Sequence, residues 1–224
     1  MRINQFVAAT SGLSRRAADA AITAGQVNIN NQMAVLGQSV APTDRVTYAG
    51  KILTPPATRT YILLNKPAGY VCSRARQGSN PTVYDLLPPS LGTLRIAGRL
   101  DLESSGLLIL SDDGDFIQQL SHPSNGKTKR YELTLGSPLS SADHAKLNRG
   151  IKLRDGTSFV KVISVTDKSL VVSLEEGRNR QLRRTFGTLG YTVERLNRVS
   201  IGSYQLGSLA SGAWQKIAAP EVTS

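Results

Sequence analysis

The chain is 224 residues long and 40% hydrophobic, which is enough to bury a core in one large domain or two unequal ones. Its 27 Lys and Arg residues against 16 Asp and Glu give a net charge of +11, which favours a polyanionic partner without distinguishing RNA from DNA. One cysteine, two separated histidines and no long apolar run argue against a disulfide, a metal site and a membrane span, so we expect a cytoplasmic protein without a metal.

Residues 1–53 form the first predicted domain, a helical hairpin followed by short strands. Apolar residues recur at helical spacing in its first half, where Ser14 is a good N-cap for the second helix and Gly25 is placed to end it. The stretches 27–30 and 46–48 are typical of short strands.

This order resembles the S4-like RNA-binding module. The resemblance is carried by Ser14-Arg15-Arg16-Ala17-Ala18, Ile22, Gly25, Val27 and Asp44-Arg45-Val46. It implies that Arg15 and Arg16 contact RNA phosphates, helped by the free backbone N–H groups at a helix start. An ordinary helical hairpin with solvated arginines is the alternative.

Residues 54–59, rich in proline, are predicted to be a linker to a second domain over residues 60–224. Strands are predicted at 61–64, 107–110, 131–135, 161–165 and 170–174. Helices are predicted at 82–87, 115–120, 141–150 and 180–189. Strands with interspersed short helices and no regular alternation indicate an α+β fold with a mainly antiparallel sheet.

The most informative segment is the acidic turn, residues 98–106 (Gly-Arg-Leu-Asp-Leu-Glu-Ser-Ser-Gly), just ahead of an aliphatic strand. It places Asp101 on a glycine-flanked turn of a strongly basic protein. By residue chemistry alone, an aspartate in such a place is usually a solvated turn residue.

Four segments in order, 64–73, 98–106, 129–131 and 176–184, resemble the motifs of the RNA pseudouridine synthases that modify ribosomal RNA at single sites. The resemblance implies an isomerase that flips a uridine out of its helix and rejoins the base to the ribose through carbon. Uracil supplies the carbon nucleophile, so no cofactor is expected.

The resemblance assigns the catalytic aspartate to Asp101, which acts as a nucleophile or by assisting proton removal from the sugar; the sequence leaves both routes open. It assigns Arg178 as the partner that keeps Asp101 ionised, since a nearby guanidinium lowers a carboxyl pKa. Tyr131 is expected to stack on the flipped base.

Further residues complete the predicted site. Leu182 is expected beneath the base, and Arg99 is expected in the base pocket, where it contacts phosphate or supports the structure. Predicted contacts to the RNA backbone come from Lys129, Arg180, Arg183 and Arg184.

Two functions from different classes fit these observations. The first is a pseudouridine synthase acting on small- or large-subunit ribosomal RNA as a monomer without an obligate protein partner. The second is a non-catalytic RNA-binding or ribosome-assembly factor that keeps the fold. A DNA-binding protein ranks third because it rests on charge alone.

Overall fold

The chain forms two compact units in a computed structural model that describes residues 1–55, 58–122 and 125–219. The first unit is Met1–Thr60 with Asp112–Gly114, and the second is Tyr61–Ser111 with Asp115–Ser224. The division lies beside the predicted linker, of which Pro56 and Ala57 lie outside the described residues.

The first unit packs two helices on a small antiparallel sheet of order β2-β1-β3-β4. Its elements are α1 Ile3–Ser11, α2 Arg15–Thr23, β1 Val27–Ile29, β2 Gln32–Met33, β3 Val46–Tyr48 and β4 Lys51–Ile52. The predicted N-cap is confirmed, because the Ala17 N–H donates to Ser14 Oγ over 3.1 Å. Fully buried Ile3, Val7 and Val27 lie in the core of this unit.

The second unit is built on one large sheet whose path, among the described residues, runs β11-β12-β8-β13-β7-β5-β15. Its strands are β5 Tyr61–Lys66, β6 Arg95–Ile96, β7 Ser105–Ser111, β8 Lys129–Leu135, β9 Ile151–Leu153, β10 Gly156–Ser158, β11 Lys161–Thr166, β12 Ser169–Leu174, β13 Val193–Ile201, β14 Tyr204–Gln205 and β15 Trp214–Lys216. Its α-helices are α3 Gly114–Ser121, α4 Ser141–Arg149 and α5 Gln181–Thr188, and short 3-10 helices span Val83–Leu86 and Pro89–Leu91.

Along that path every pair of neighbouring strands is antiparallel except β13 and β7, which run parallel. This arrangement, with its few short helices, agrees with the predicted α+β class. The helices predicted at 115–120, 141–150 and 180–189 are present within one or two residues of their predicted ends. None of the helices in the described part of the chain is long and apolar enough to cross a membrane.

Strands β5 and β7 are buried on both faces. Ile62, Leu64 and Leu108 pack into one core cluster, whereas Leu63 and Leu107 pack into another. Burial on both faces explains why these strands are continuous aliphatic runs in the sequence. The ends of these rigid strands hold the acidic turn.

Strand β13, the longest of the described strands, was missed by the sequence analysis. Its buried positions include Arg198 and Ser200, which are 2% exposed. Polar residues at buried positions hide the alternation by which a strand is recognised.

Candidate active site

The acidic turn is fixed by backbone hydrogen bonds. The Ser104 N–H donates to the Asp101 carbonyl over 3.1 Å, and the Gly69 N–H donates to the Leu102 carbonyl over 2.8 Å. Gly98 begins the turn with a φ of +76°, in the left-handed region that favours glycine. The Asp101 side chain is therefore presented from a backbone of defined geometry.

Lys66, the last residue of β5, lies beneath this turn with 0% of its surface exposed. Its Nζ donates to the carbonyl oxygens of Ser104, Pro67, Asp101 and Leu102 over 2.6, 3.0, 3.1 and 3.3 Å. Burial lowers the pKa of this ammonium group. Because three of the four acceptors belong to the acidic turn, Lys66 ties that turn to the sheet.

Three strands bring the site residues side by side. Arg198 on β13 is paired with Tyr131 on β8 and with Gly106 on β7. A Cβ at position 106 would lie 2.5 Å from the Arg198 nitrogen, so only glycine permits this approach. Laterally paired residues of a sheet share a face, which places Tyr131 and Arg198 together.

A cleft of about 420 Å³ opens between these strands and the start of α5. Of the residues predicted for catalysis and the base pocket, it is lined by Arg99, Asp101, Tyr131, Arg178 and Leu182. Of those predicted to bind the RNA backbone, it is lined by Lys129 and Arg180. Residues separated by more than 80 positions in the chain thus surround one cavity.

The expected ion pair between Asp101 and Arg178 is absent from the described structure, and we correct that expectation. Arg178 pairs instead with Asp155 at 3.1 Å and with Glu176 at 3.0 Å. Its guanidinium also donates to three backbone carbonyls between residues 155 and 157. The hairpin of β9 and β10 therefore holds Arg178 at the wall of the cleft.

Two buried cations that were not predicted as site residues, Arg198 and Lys66, lie beside the acidic turn. Arg198 donates from Nε to the Leu107 carbonyl over 2.9 Å, and its buried Nη2 has no hydrogen-bond partner among the described residues. Lys66 holds the Asp101 carbonyl oxygen, as described above. On β5 a signal was available, because Lys66 continues the face occupied by Ile62 and Leu64, whereas β13 offered no such pattern.

Glu103 connects the acidic turn to α5. Its carboxylate pairs with Arg180 at 2.7 Å, and its carbonyl oxygen accepts from Arg183 over 3.4 Å. The hydrogen bond from Arg180 lowers the pKa of Glu103. Arg183 also donates to the Val193 carbonyl over 2.6 Å, so it bridges the turn and β13.

Arg184 is held in the same way. It forms two hydrogen bonds, of 2.9 and 2.8 Å, with the Asp155 carboxylate that also pairs with Arg178. These hydrogen bonds lower the pKa of Asp155 and raise that of Arg184. All four arginines between residues 178 and 184 are therefore engaged with acidic groups or carbonyls of the protein.

The remaining predicted residues differ in exposure. Leu182 and Tyr131 are buried, at 4% and 7% exposed, while Arg99 is exposed at the cleft. Burial, together with the charge of Arg198, lowers the pKa of Lys129. Among the described residues no group of three His, Cys, Asp or Glu side chains could hold a metal ion.

Arg15 and Arg16 lie in the first unit, at the N-terminus of α2. Both are exposed. Within the described part of the chain neither guanidinium forms a hydrogen bond or an ion pair.

The chain is similar to known proteins over nearly its whole length. A family model described as RNA pseudouridylate synthase matches residues 60–187. The chain is 33% identical to the ribosomal small subunit pseudouridine synthase A of Pasteurella multocida, over 100% of this chain and 99% of that protein. It is 32% identical to the ribosomal large subunit pseudouridine synthase B of Haemophilus influenzae, over 96% of this chain and 64% of that protein. A crystal structure of a pseudouridylate synthase is 32% identical, with a TM-score of 0.71 over 97% of this chain and 96% of that one.

Proposed function

Because this chain belongs to the RNA pseudouridylate synthase family, we propose that it converts a uridine of ribosomal RNA to pseudouridine, with Asp101 as the catalytic residue. The ribosomal substrate is supported by the names of relatives that match the chain over nearly its full length. The observation that carries the assignment of Asp101 is a single cleft that holds it together with Tyr131 and several cations.

The reaction breaks the bond between ribose C1′ and uracil N1 and forms one between C1′ and C5. The proton on C5 is lost and N1 gains one, so the atoms and electrons balance without an oxidant or reductant. A carboxylate is sufficient protein chemistry, whether it attacks C1′ or takes a proton from the sugar. The fixed backbone of the acidic turn is suited to this work because it sets the position of Asp101 before the RNA binds.

The target uridine must leave its helix to reach Asp101, and unstacking costs a few kcal/mol. Tyr131 is suited to replace the lost stacking, and Leu182 offers an apolar surface in the same cleft. The RNA around that base is bound or oriented by the cationic residues Arg99, Lys129, Arg178, Arg180, Arg183 and Arg184.

The first unit is suited to dock structured RNA as an S4-like domain over residues 1–53, with Arg15 and Arg16 facing phosphate. The relatives named for ribosomal subunits support action in the cytoplasm, where ribosomes are made. We expect a monomer with no obligate protein partner, which light scattering of the purified chain would measure.

The test is an Asp101→Asn variant, which keeps the size of the side chain and removes its charge. We expect one pseudouridine, mapped by carbodiimide modification of ribosomal RNA, to be lost in cells whose only copy of the gene carries this change. Asp167→Asn is the matched control, since Asp167 is exposed on a turn outside the cleft and its φ of +53° suits asparagine.

A non-catalytic RNA-binding factor is the alternative function. It predicts that Asp101→Asn and Asp167→Asn give identical pseudouridine maps and identical RNA affinities. Pseudouridine retained in the Asp101→Asn strain, but absent from the gene deletion, would instead remove Asp101 from the chemistry.

A further inference from the structure

A second cavity, of about 510 Å³, lies beside the cleft. Leu174 lines both cavities, and Glu176 of the second directly precedes Gly177 of the first. The volume is within the range of pockets that hold small ligands. Nothing in the reaction described above occupies this second cavity.

Phe159 lies at its rim and is 60% exposed, an unusual state for an aromatic side chain. Its ring packs against the backbone of Gly150, where a Cβ would lie 2.8 Å from the ring atom Cε1. Gly150 has a φ of +96°, so both its conformation and the ring exclude a larger residue. The ring is supported from the protein side and open to solvent elsewhere.

The lining of the cavity combines an apolar floor with a polar edge. Leu147, Val160 and Leu174 are 0%, 1% and 4% exposed and form the floor. At the edge, the Glu175 carboxylate has no hydrogen-bond partner among the described residues, and an ionised carboxylate only accepts hydrogen bonds. A flat apolar ligand that carries N–H donors fits this combination.

Three cations lie on or next in the chain to the lining of the cavity, which also carries the carboxylates of Glu175 and Glu176. Lys127, Arg149 and Lys161 are exposed on three different chain segments that contribute to the lining. Such cations attract a ligand that carries phosphate on both sides. The occupant must therefore combine a flat ring, N–H donors and flanking negative charge.

We propose that this cavity binds a second, unpaired nucleotide of the RNA substrate, with its base stacked on Phe159. The cavity and the cleft are neighbours, because Leu174 lines both, so one RNA strand is able to span them. The base is one with an exocyclic amino group, adenine, guanine or cytosine, because such a group donates to the Glu175 carboxylate. This assignment rests on the proposed function for the identity of the RNA.

The first test measures the affinity for unmodified small- and large-subunit ribosomal RNA transcripts and the single-turnover rate of pseudouridine formation. Loss of one stacked base predicts that Phe159→Ala weakens RNA binding about tenfold, while the rate at saturating RNA stays that of the wild type. Phe159→Tyr retains a π face and should bind as the wild type does. The matched control is Ile163→Ala, since Ile163 is 45% exposed on neighbouring β11 outside the cavity.

Equal RNA affinities for Phe159→Ala and Ile163→Ala would overturn the proposal, and so would a loss of affinity in Phe159→Tyr as large as in Phe159→Ala. Equal affinities would leave an apolar protein segment as the better occupant. Thermal unfolding of each variant separates these outcomes from a failure to fold.

The second test is crosslinking of the same transcripts at 254 nm, followed by mass spectrometry of the labelled peptide. We expect a nucleotide other than the target uridine to be linked to Phe159, and replacement of that nucleotide by uridine to weaken binding. A link to the target uridine, or none at Phe159, would overturn the proposal. Suppose that the wild-type protein forms no pseudouridine but Phe159→Ala still weakens RNA binding. That result would support the proposal for the cavity and contradict only the proposed function.

Discussion

Arginines of both units were predicted to bind RNA, Arg15 and Arg16 in the first unit and Arg180 and Arg184 in the second, but the structure places them in different states. Arg15 and Arg16 of the first unit are exposed, and within the described residues their guanidinium groups have no partner. In the second unit, Arg178, Arg180 and Arg184 are each paired with a carboxylate of the protein. Equal charge in the sequence therefore corresponds to free cations in one unit and tethered cations in the other.

The difference indicates two kinds of work. A free arginine can follow an irregular phosphate backbone, but it loses side-chain entropy when it binds. A tethered arginine has already lost that freedom, so it contributes a charge at a fixed position, as an active site requires. We therefore expect changes to tethered cations to alter the rate of the reaction, and changes to free cations to alter RNA affinity.

The largest effect is expected at Lys66, the most buried of the tethered cations. In Lys66→Met the side chain still fills its space, but the Ser104 and Pro67 carbonyls lose their donor and the acidic turn is released. We expect a loss of about 2–4 kcal/mol in the free energy of unfolding and at least a hundredfold fall in single-turnover rate. Calorimetry and a rate assay well below the unfolding temperature measure the two effects.

Lys216→Met is the control for Lys66→Met, because Lys216 is exposed on β15 and distant in sequence from the turn. A normal rate in Lys66→Met would contradict the positioning role, even if the protein were less stable. Partial recovery of the rate in Lys66→Arg would support it.

The ion pairs that hold these arginines could not be predicted from the sequence. Strand β7 was predicted because its aliphatic run is a local pattern. Ser14 was predicted as an N-cap because capping depends on a backbone group only three residues away. Arg178 was assigned to Asp101, whereas its partner Asp155 lies on a hairpin that has no strong periodicity and was not predicted. A charged side chain selects its partner in three dimensions, and charge in the sequence carries no information about that choice.

Buried charges were the second source of error. Neither Lys66 nor Arg198 was predicted to be a buried residue of the site. The structure buries both where backbone carbonyls accept their hydrogen bonds, although Arg198 Nη2 has no partner among the described residues. Base rates favour exposure for Lys and Arg, so only the alternation of Ile62, Leu64 and Lys66 on one face of β5 signalled burial.

A smaller effect is expected in the first unit. The double change Arg15→Ala with Arg16→Ala should weaken binding of ribosomal RNA about tenfold, with the single-turnover rate at saturating RNA unchanged. The slope of log affinity against log salt should become shallower by about 1.4–1.8, the value for two lost phosphate contacts. Filter binding across a salt series measures both.

The control for the double change is Lys51→Ala, an exposed cation on β4 of the same unit. A salt slope that moves equally in the two proteins would mean that Arg15 and Arg16 contribute only general charge. A fall in the rate at saturating RNA would break the distinction between free and tethered cations.

The smallest effect is expected when the carboxylate charge of Asp155, which pairs with two arginines, is removed. Asp155→Asn removes the carboxylate charge that pairs with Arg184 and with Arg178. Arg178 is still held by its hydrogen bonds to backbone carbonyls. We expect the single-turnover rate to fall about threefold to tenfold, while RNA affinity is unchanged or stronger because positive charge is released. Glu194→Gln makes the same change of charge at an exposed position on β13 and should leave the rate unchanged.

The pH dependence of the unfolding temperature measures the contribution of the Asp155 ion pairs independently of the reaction rate. The Asp155 pKa is lowered in the folded protein, chiefly by its hydrogen bonds with Arg184, so its contribution to stability is present above the ordinary value of 3.8. That contribution is lost as the pH falls through the lowered folded pKa, because a protonated Asp155 is as neutral as asparagine. The unfolding temperatures of the wild type and Asp155→Asn should therefore differ at pH 6 and converge as the pH falls below 3.8 and through the lowered pKa of Asp155. A difference that persists at low pH would show that the charge of Asp155 is not what makes this tether.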